Sequence, residues 1–529
     1  LLKNRNHTIL LILLLTMSLI ISGCGGGGED NADTGSSEVN KNESFIIAKS
    51  NDAKLIDPGY AWIEASIGAV YPVYEGLVQF KNDELEVEPA LATDWKKSED
   101  GKTWTFSLRQ DVKFHDGTDF NADAVVFTFN RILDENHPMH GVVKGGWSYL
   151  NYLLGDMIEE VKALDDYTVQ FTLKQKFAPF LTYMGYYSQF IVSPTAAEKY
   201  GERFPEHPVG TGPFKFDKWQ KGEYIQYVAN EDYWGEKPQV EKLIIKVVPE
   251  SSTRLMELQT GQVDAIKTLD PGQIEKVKNN KDLKLISKPG ANIHFAAMNT
   301  KIEPLNNVKV RQAINYAVDV EKLVNAVYEG SGTPAINILP PTVFSFDDTA
   351  GPYEYNPEKA KELLAEAGYP NGFDLTLHSF THARVYVSNP VQVAEIIKSD
   401  LKKVGINVKI ETVEYSTLSD IMESYEHEIA LTGWYDIPYP SNFLKTCALG
   451  GNHTGYKPQE LVDIANKALG TYDRNEQEAY YRQLQQKLHE AAPVIPIAHR
   501  NYTAAVRSNV KGFQLTPVGV VRAHKAYKE

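Results

Sequence analysis

An α/β fold is what this sequence predicts, and two observations carry the prediction. In the stretch from Gly372 to Asp436, apolar residues recur first every second position, then at helical spacing, then again in turn, reading strand, helix, strand, helix, strand. Elsewhere, strand patterns at Phe45–Ala48, Thr103–Leu108 and Thr168–Leu173 are interleaved with helix-start signals at Asn121 and Asn356, so the two element types alternate rather than segregate. Roughly 500 residues exceed what one core serves, and two or three domains are expected.

In chain order the leader comes first. Lys3 and Arg5 precede an apolar run from Ile9 to Ile21, broken only by Thr16 and Ser18 and ending in Ile21-Ser22-Gly23-Cys24. A basic start, an apolar segment shorter than the roughly 20 residues of a membrane span and small residues before the cut read as a secretory signal. An aliphatic residue, two small ones and a cysteine form the pattern of bacterial lipoprotein signals. Cys24 is therefore expected to open the mature chain, acylated and anchored in the lipid bilayer; an ordinary cleaved signal with an incidental cysteine is the alternative. Gly25 to Gly28 and the polar stretch through Ser44 make a tether of about 20 residues, which at ~5–6 Å times the square root of length would hold the folded part some 25 Å from the lipid.

Composition narrows the partners. The net charge is −15, and without the leader's two positive residues the remainder carries −17. Such a chain repels nucleic acid and anionic lipid, so no nucleic-acid partner is expected. Cys24 and Cys447 are the only cysteines, which excludes a disulfide framework and a cysteine-based zinc site. After the leader no segment approaches the length of a membrane span.

Asn121 caps a predicted helix carrying Ala124, Val125, Phe127 and Phe129. Asn356-Pro357-Glu358 opens another with Ala360, Leu363, Leu364 and Ala367 on one face, stopped by Gly368. Next, Phe373, Leu375 and Leu377 alternate as a strand. Asn389 and Pro390 start a helix with Val393, Ile396, Ile397 and Leu401 inward, ended by Gly405. Ile406, Val408 and Ile410 form a second strand, Ser416 to Tyr425 a helix, and Glu428 to Trp434 a third strand. In one sheet this order means parallel strands with right-handed crossovers, and ligands of such sheets bind beyond the carboxyl ends of the strands.

Arg384 stands beyond the first of those ends and Asp436 beyond the third. Two readings of the pair are open. They neutralise each other across the sheet edge, or they hold opposite ends of a zwitterion: Arg384 by forked bonds to a carboxylate, Asp436 by accepting from an ammonium group. A free peptide or amino acid satisfies both. Gly433, Trp434, Tyr435, Tyr386 and Tyr439 lie close in sequence, and the aromatic ones offer amphipathic walls for a variable side chain. Signatures of catalysis fail. Ser399 and Lys402 have the spacing of serine acyl-enzymes, but they fall late in a helix and no Lys-Thr-Gly accompanies them. Gly210-Thr211-Gly212 lacks the third glycine of a dinucleotide turn, and no His-Glu-x-x-His occurs. No enzyme, cofactor or resident metal is expected.

Longer motifs carry a resemblance. They are Asp94-Trp95, Ser98-Glu99-Asp100-Gly101-Lys102-Thr103-Trp104-Thr105-Phe106, Val112-Lys113-Phe114-His115-Asp116-Gly117, Pro208-Val209-Gly210-Thr211-Gly212-Pro213-Phe214, Asp232-Tyr233-Trp234-Gly235 and Leu258-Gln259-Thr260-Gly261-Gln262-Val263-Asp264. In these the chain resembles the solute-binding proteins of peptide and nickel ABC importers, bacterial extracellular solute-binding protein family 5, over nearly the whole mature length. Arg384-Val385-Tyr386 ahead of Asn389-Pro390, and Gly433-Trp434-Tyr435-Asp436 ahead of Asn442-Phe443-Leu444, look like the carboxylate and amine sites of the dipeptide-binding branch.

The resemblance implies a two-lobed periplasmic-binding-protein-like α/β fold with a hinge, the first lobe split into two subdomains. Its expected parts are a signal peptide (1–23), a lipidated tether (24–44), a lobe I core (45–75, 208–295 and 503–529), an extra subdomain (76–207) and a ligand-binding lobe II (296–502). Hinge crossings are expected near Ile293 to Asn299 and Ile497 to Tyr502. It also implies an extracytoplasmic, lipid-anchored monomer that captures short peptides, dipeptides foremost, and delivers them to a membrane permease driven by a separate ATPase. Nickel chelates, glutathione, haem and oligosaccharides are the alternative cargoes within the family.

Overall fold

The computed structural model describes residues 43–81, 85–143, 146–451, 453–516 and 518–529. Cys24, the leader and nearly all of the tether lie outside the described residues. Two mixed sheets form the cores of two lobes. The first is built around the strand Ser44–Lys49, which pairs in parallel with Lys242–Val247 on one side and Ala265–Lys267 on the other. Tyr224–Ala229 and Phe214–Gln220 extend it antiparallel. Phe45 and Ile47 are buried, and Ala48, on the opposite face, is buried as well.

The second sheet contains the run read from the sequence. Asp374–Phe380 pairs in parallel with both Asn407–Val413 and Ile429–Tyr435, giving the order second, first, third. Asn389 caps the intervening helix Pro390–Lys402 by accepting from the Gln392 amide, and Val393, Ile397 and Leu401 are buried while Ile396 is half-buried. The next helix, Tyr415–Glu423, starts one residue before Ser416, and the Tyr415 ring packs edge-on against Phe380 at 5.3 Å. Ile429–Tyr435 pairs antiparallel with Asn292–Met298, and that strand with residues 494–498.

The strand Val494–Arg507, 14 residues long, belongs to both sheets. Its first part pairs with Asn292–Met298, and residues 501–507 pair with Leu283–Pro289. Where the chain passes between sheets, the buried Asn292 side chain donates to the Arg500 carbonyl (2.7 Å) and accepts from the Arg500 amide (2.9 Å), mimicking a ladder step.

A separate antiparallel sheet runs Ala92–Lys97, Thr103–Leu108, Thr168–Leu173, Ile158–Asp165. Its apolar face packs on the helix Ala122–Leu133, with Phe129 edge-on to Phe171 at 4.9 Å. Asp57 and Arg131 join this helix to the segment following Ser44–Lys49 through two bonds of 2.7 and 2.8 Å, both side chains buried. Truncating one partner of such a pair costs about 3–5 kcal/mol because the other charge is stranded.

Candidate functional site

A cleft of about 850 Å³ is lined from both sheets and the segments that follow their strands, including Lys49, Glu64, Arg384, Tyr435 and Arg500. That volume lies within the ~300–1,000 Å³ usual for small-ligand sites. Arg384 reaches it from the loop after Asp374–Phe380. A tight turn shapes this loop, the Arg384 amide donating to the Val387 carbonyl (2.8 Å) and the Val387 amide to the Arg384 carbonyl (3.1 Å). The guanidinium lies over the Tyr415 ring, 3.7 Å from its centroid. Among the described residues no carboxylate pairs with it, and its Nε is enclosed without a hydrogen-bond partner. The Tyr386 hydroxyl and Ser388 Oγ of the same loop are likewise enclosed and unpartnered. One short loop thus gathers three unsatisfied donors, with Arg384 and Ser388 bordering the cleft. An anion with several acceptor lone pairs, such as a carboxylate, matches that set.

Asp436 follows Ile429–Tyr435. It is 4% exposed, no cationic group pairs with it among the described residues, and the polar groups around it stand outside good hydrogen-bond geometry. Burial raises its pKa above the ordinary aspartate range, opposed by the nearby Tyr149, Asn442, the Ile437 amide and Tyr186. Its charge in turn reaches Tyr152, Tyr183 and Tyr187. These tyrosines come from residues 149–187, around the last two strands of the separate antiparallel sheet, and stack on one another: Tyr149 lies parallel to Tyr187 at 5.9 Å, Tyr186 is 4.6 Å from Tyr187, and Trp147 is 5.4 Å from Tyr149. A buried carboxylate approached by tyrosine hydroxyls suits an ammonium group, which would donate to it and replace the missing counter-charge.

The pair does not neutralise itself: no ion pair joins Arg384 to Asp436. Asp436 does not itself border the cleft; Tyr186, Tyr187 and Tyr435 beside it do. Tyr435, its hydroxyl pushed up to about 12 by burial, borders the cleft within electrostatic reach of Arg384, Glu64 and Asp436. Tyr386 is fully buried, stacked on His294 at 5.7 Å. Gly433 makes that possible, since a Cβ there would stand 2.3 Å from the Tyr386 ring and 2.6 Å from the Ile293 carbonyl. Trp434 is half-buried against His453, its indole N–H enclosed without a partner. Tyr439 packs into the core against Phe344 and Tyr481. Ser399 and Lys402 are exposed on their helix and away from the cleft.

Several site residues escaped the sequence reading. Ser388 and Tyr415 are set by the loop and helix flanking Arg384, and Arg500 by pairing across more than 200 residues. The tyrosine nest had a compositional signal, in Trp147-Ser148-Tyr149-Leu150-Asn151-Tyr152 and Tyr186-Tyr187, but nothing local tied it to Asp436.

Comparison with known proteins agrees with this architecture. Residues 86–455 match the family model of bacterial extracellular solute-binding proteins, family 5 Middle. The chain is 39% identical to the dipeptide-binding protein of Escherichia coli strain K12 over 467 residues, covering 85% of this chain and 87% of the relative. It is 36% identical to haem-binding protein A of Haemophilus influenzae over 531 residues, covering 96% and 97%. The ABC transporter-associated periplasmic binding protein DppA from Helicobacter pylori, solved with the peptide STSA, superposes with a TM-score of 0.80 at 34% identity, covering 92% of this chain and 99% of that one. The chain therefore belongs to the bacterial extracellular solute-binding proteins of family 5.

Proposed function

We propose that this protein captures short peptides with both ends free, dipeptides foremost, and passes them to an ABC permease powered by its ATPase. The observation that carries the reading is a pair of opposite charges, the half-buried Arg384 and the buried Asp436, neither of which has an ion-pair partner among the described residues. Burying lone charges is costly, and a zwitterion of the right length relieves both at once. The peptide carboxylate sits on Arg384 with Tyr386 and Ser388. Its ammonium sits on Asp436 within the tyrosine nest, and Tyr435, Trp434 and the backbone at Gly433 flank the chain between. The peptide-binding relatives support this cargo; the haem-binding relative marks a second possibility for the same fold.

The lobes act as a hinged pair. Lobe I comprises 45–75, 208–295 and 503–529 with the extra subdomain 76–207, and lobe II comprises 296–502. Ligand binds lobe II through Arg384 and Asp436, and lobe I closes over it with the tyrosines of 149–187, making contacts that exist only when shut. No catalysis is required of the chain. It works as a monomer outside the cytoplasm, held to the membrane through acylated Cys24. Mass spectrometry of co-purifying ligand, followed by calorimetry with di-, tri- and longer peptides, tests the reading: short free peptides should be found and should bind best. Selective binding of haem or a nickel chelate with no peptide affinity would overturn it.

A further inference from the structure

Lys49 is the last residue of Ser44–Lys49 and Lys267 the last of Ala265–Lys267, two strands that run parallel side by side. Both side chains therefore leave the carboxyl edge of the first sheet, as Arg384 and Asp436 leave that of the second. Both border the main cleft, and both border an adjoining chamber of about 370 Å³ that shares Ser50, Ile63, Glu64 and Thr268 with it.

The acids of this chamber are already engaged. Glu64 pairs with Lys267 at 2.6 Å. Asp52 accepts from the Trp219 indole at 3.1 Å and from the Gly222 amide at 2.7 Å. Lys49 is left over: it is 8% exposed, and its Nζ is enclosed with no hydrogen-bond partner among the described residues. The ammonium nests in a notch that glycine provides, since a Cβ on Gly68 would stand 2.0 Å from Nζ. Burial, then the neighbouring Lys267 charge, pull its pKa down to about 8 against the pull of Glu64, so the group is still mostly charged at neutral pH. An enclosed ammonium without an acceptor is unfavourable until an anion meets it. Tyr435, within reach of Glu64, Arg384 and Asp436 alike, links this end of the cleft to the zwitterion site.

From the unpartnered Lys49 and its chamber we infer that the cleft takes a second carboxylate of the cargo, so that peptides bearing an Asp or Glu side chain are preferred. The inference rests on the peptide reading above and extends it to the cargo's side chains.

Calorimetry on the full chain tests it with matched pairs, Ala-Glu against Ala-Gln and Glu-Ala against Gln-Ala, with Ala-Ala as reference. In at least one pair the acidic peptide should bind the unaltered protein about tenfold tighter than its amide, a free-energy difference near 1.4 kcal/mol. Lys49→Met should erase that difference, lowering the acidic peptide's affinity to that of its amide partner. Equal affinities within both pairs, or a uniform loss across all peptides in Lys49→Met, would overturn the inference. Should that variant fail to fold, the pairs measured on the unaltered protein decide alone. Ala-Ala binding with indifference to the acid defeats this inference only, whereas no binding by any free peptide defeats the peptide reading and this inference with it.

Discussion

The guanidinium of Arg500 holds the backbone of Arg384. One nitrogen, Nη1, donates to the Arg384 carbonyl at 3.2 Å, while Nη2 donates to the Leu269 carbonyl at 3.2 Å. Leu269 follows Ala265–Lys267 in the first sheet, and Arg384 follows Asp374–Phe380 in the second. A single buried side chain, itself 4% exposed, therefore fastens the loop that presents the cleft arginine to the segment following Ala265–Lys267 of the first sheet.

Replacing Arg500 by Met should cut these ties without touching either end of the ligand. Hydrogen bonds from charged donors contribute about 1.5–3 kcal/mol, so thermal or denaturant unfolding should show a loss of that order. Dipeptide affinity should fall about tenfold as the Arg384 loop loosens. Unchanged stability and affinity would remove Arg500 from the account.

Arg384→Ala should weaken binding of a free-carboxylate peptide by roughly 2–5 kcal/mol, tens to thousands of fold, with stability little changed because no partner charge is stranded. Arg384→Lys should recover only part of the loss, since an ammonium lacks the planar fork and the stacking on Tyr415. Calorimetry of both variants against one dipeptide checks the order.

Acid should weaken binding through Asp436. Burial, opposed by Tyr149, Asn442, the Ile437 amide and Tyr186, raises this carboxyl above its ordinary range. In the ligand-free protein its contribution to stability is therefore fully present below the ordinary aspartate pKa and is lost as pH rises through the raised value. A bound ammonium reverses the shift, so affinity should fall on acidification, beginning above the ordinary aspartate range, with a proton released on binding there. Asp436→Asn should flatten this pH profile and lower affinity at neutral pH. Affinity that rises on acidification would contradict the assignment.

Gly433→Ala should be disruptive although the change is one methyl group. Its Cβ would meet the Tyr386 ring at 2.3 Å and the Ile293 carbonyl at 2.6 Å, and neither a ring stacked on His294 nor strand backbone gives way easily. A stability loss of about 1–3 kcal/mol is expected in denaturant unfolding, typical of overpacking.

The second sheet was legible because its signals are local. Period-two and helical runs from Leu375 to Trp434 sit within one stretch, and the caps at Asn389 and Gly405 mark the boundaries. The strand-end rule then singles out Arg384 and Asp436, which follow the first and third of those strands. The same rule applied to Lys49 and Lys267 needed knowledge that Ser44–Lys49 pairs in parallel with a three-residue strand more than 200 residues away, which no local pattern encodes. Likewise the 14-residue strand Val494–Arg507 reads as one element, and its division between two sheets emerges only from partners at Asn292–Met298 and Leu283–Pro289. The tyrosines around Asp436 arrive from residues 149–187, about 250 or more positions earlier in the chain, so proximity in sequence could not reveal them.

If Arg384 and Asp436 hold the two ends of one peptide, blocking those ends must weaken binding. Calorimetry of the full chain with one dipeptide, its N-acetylated form and its C-amidated form should show tight binding of the free peptide. Each block should cost roughly 2–5 kcal/mol, tens to thousands of fold. The acetylated form should then bind no worse to Asp436→Asn than to the unaltered protein. Equal affinity for the free and blocked peptides would contradict the claim.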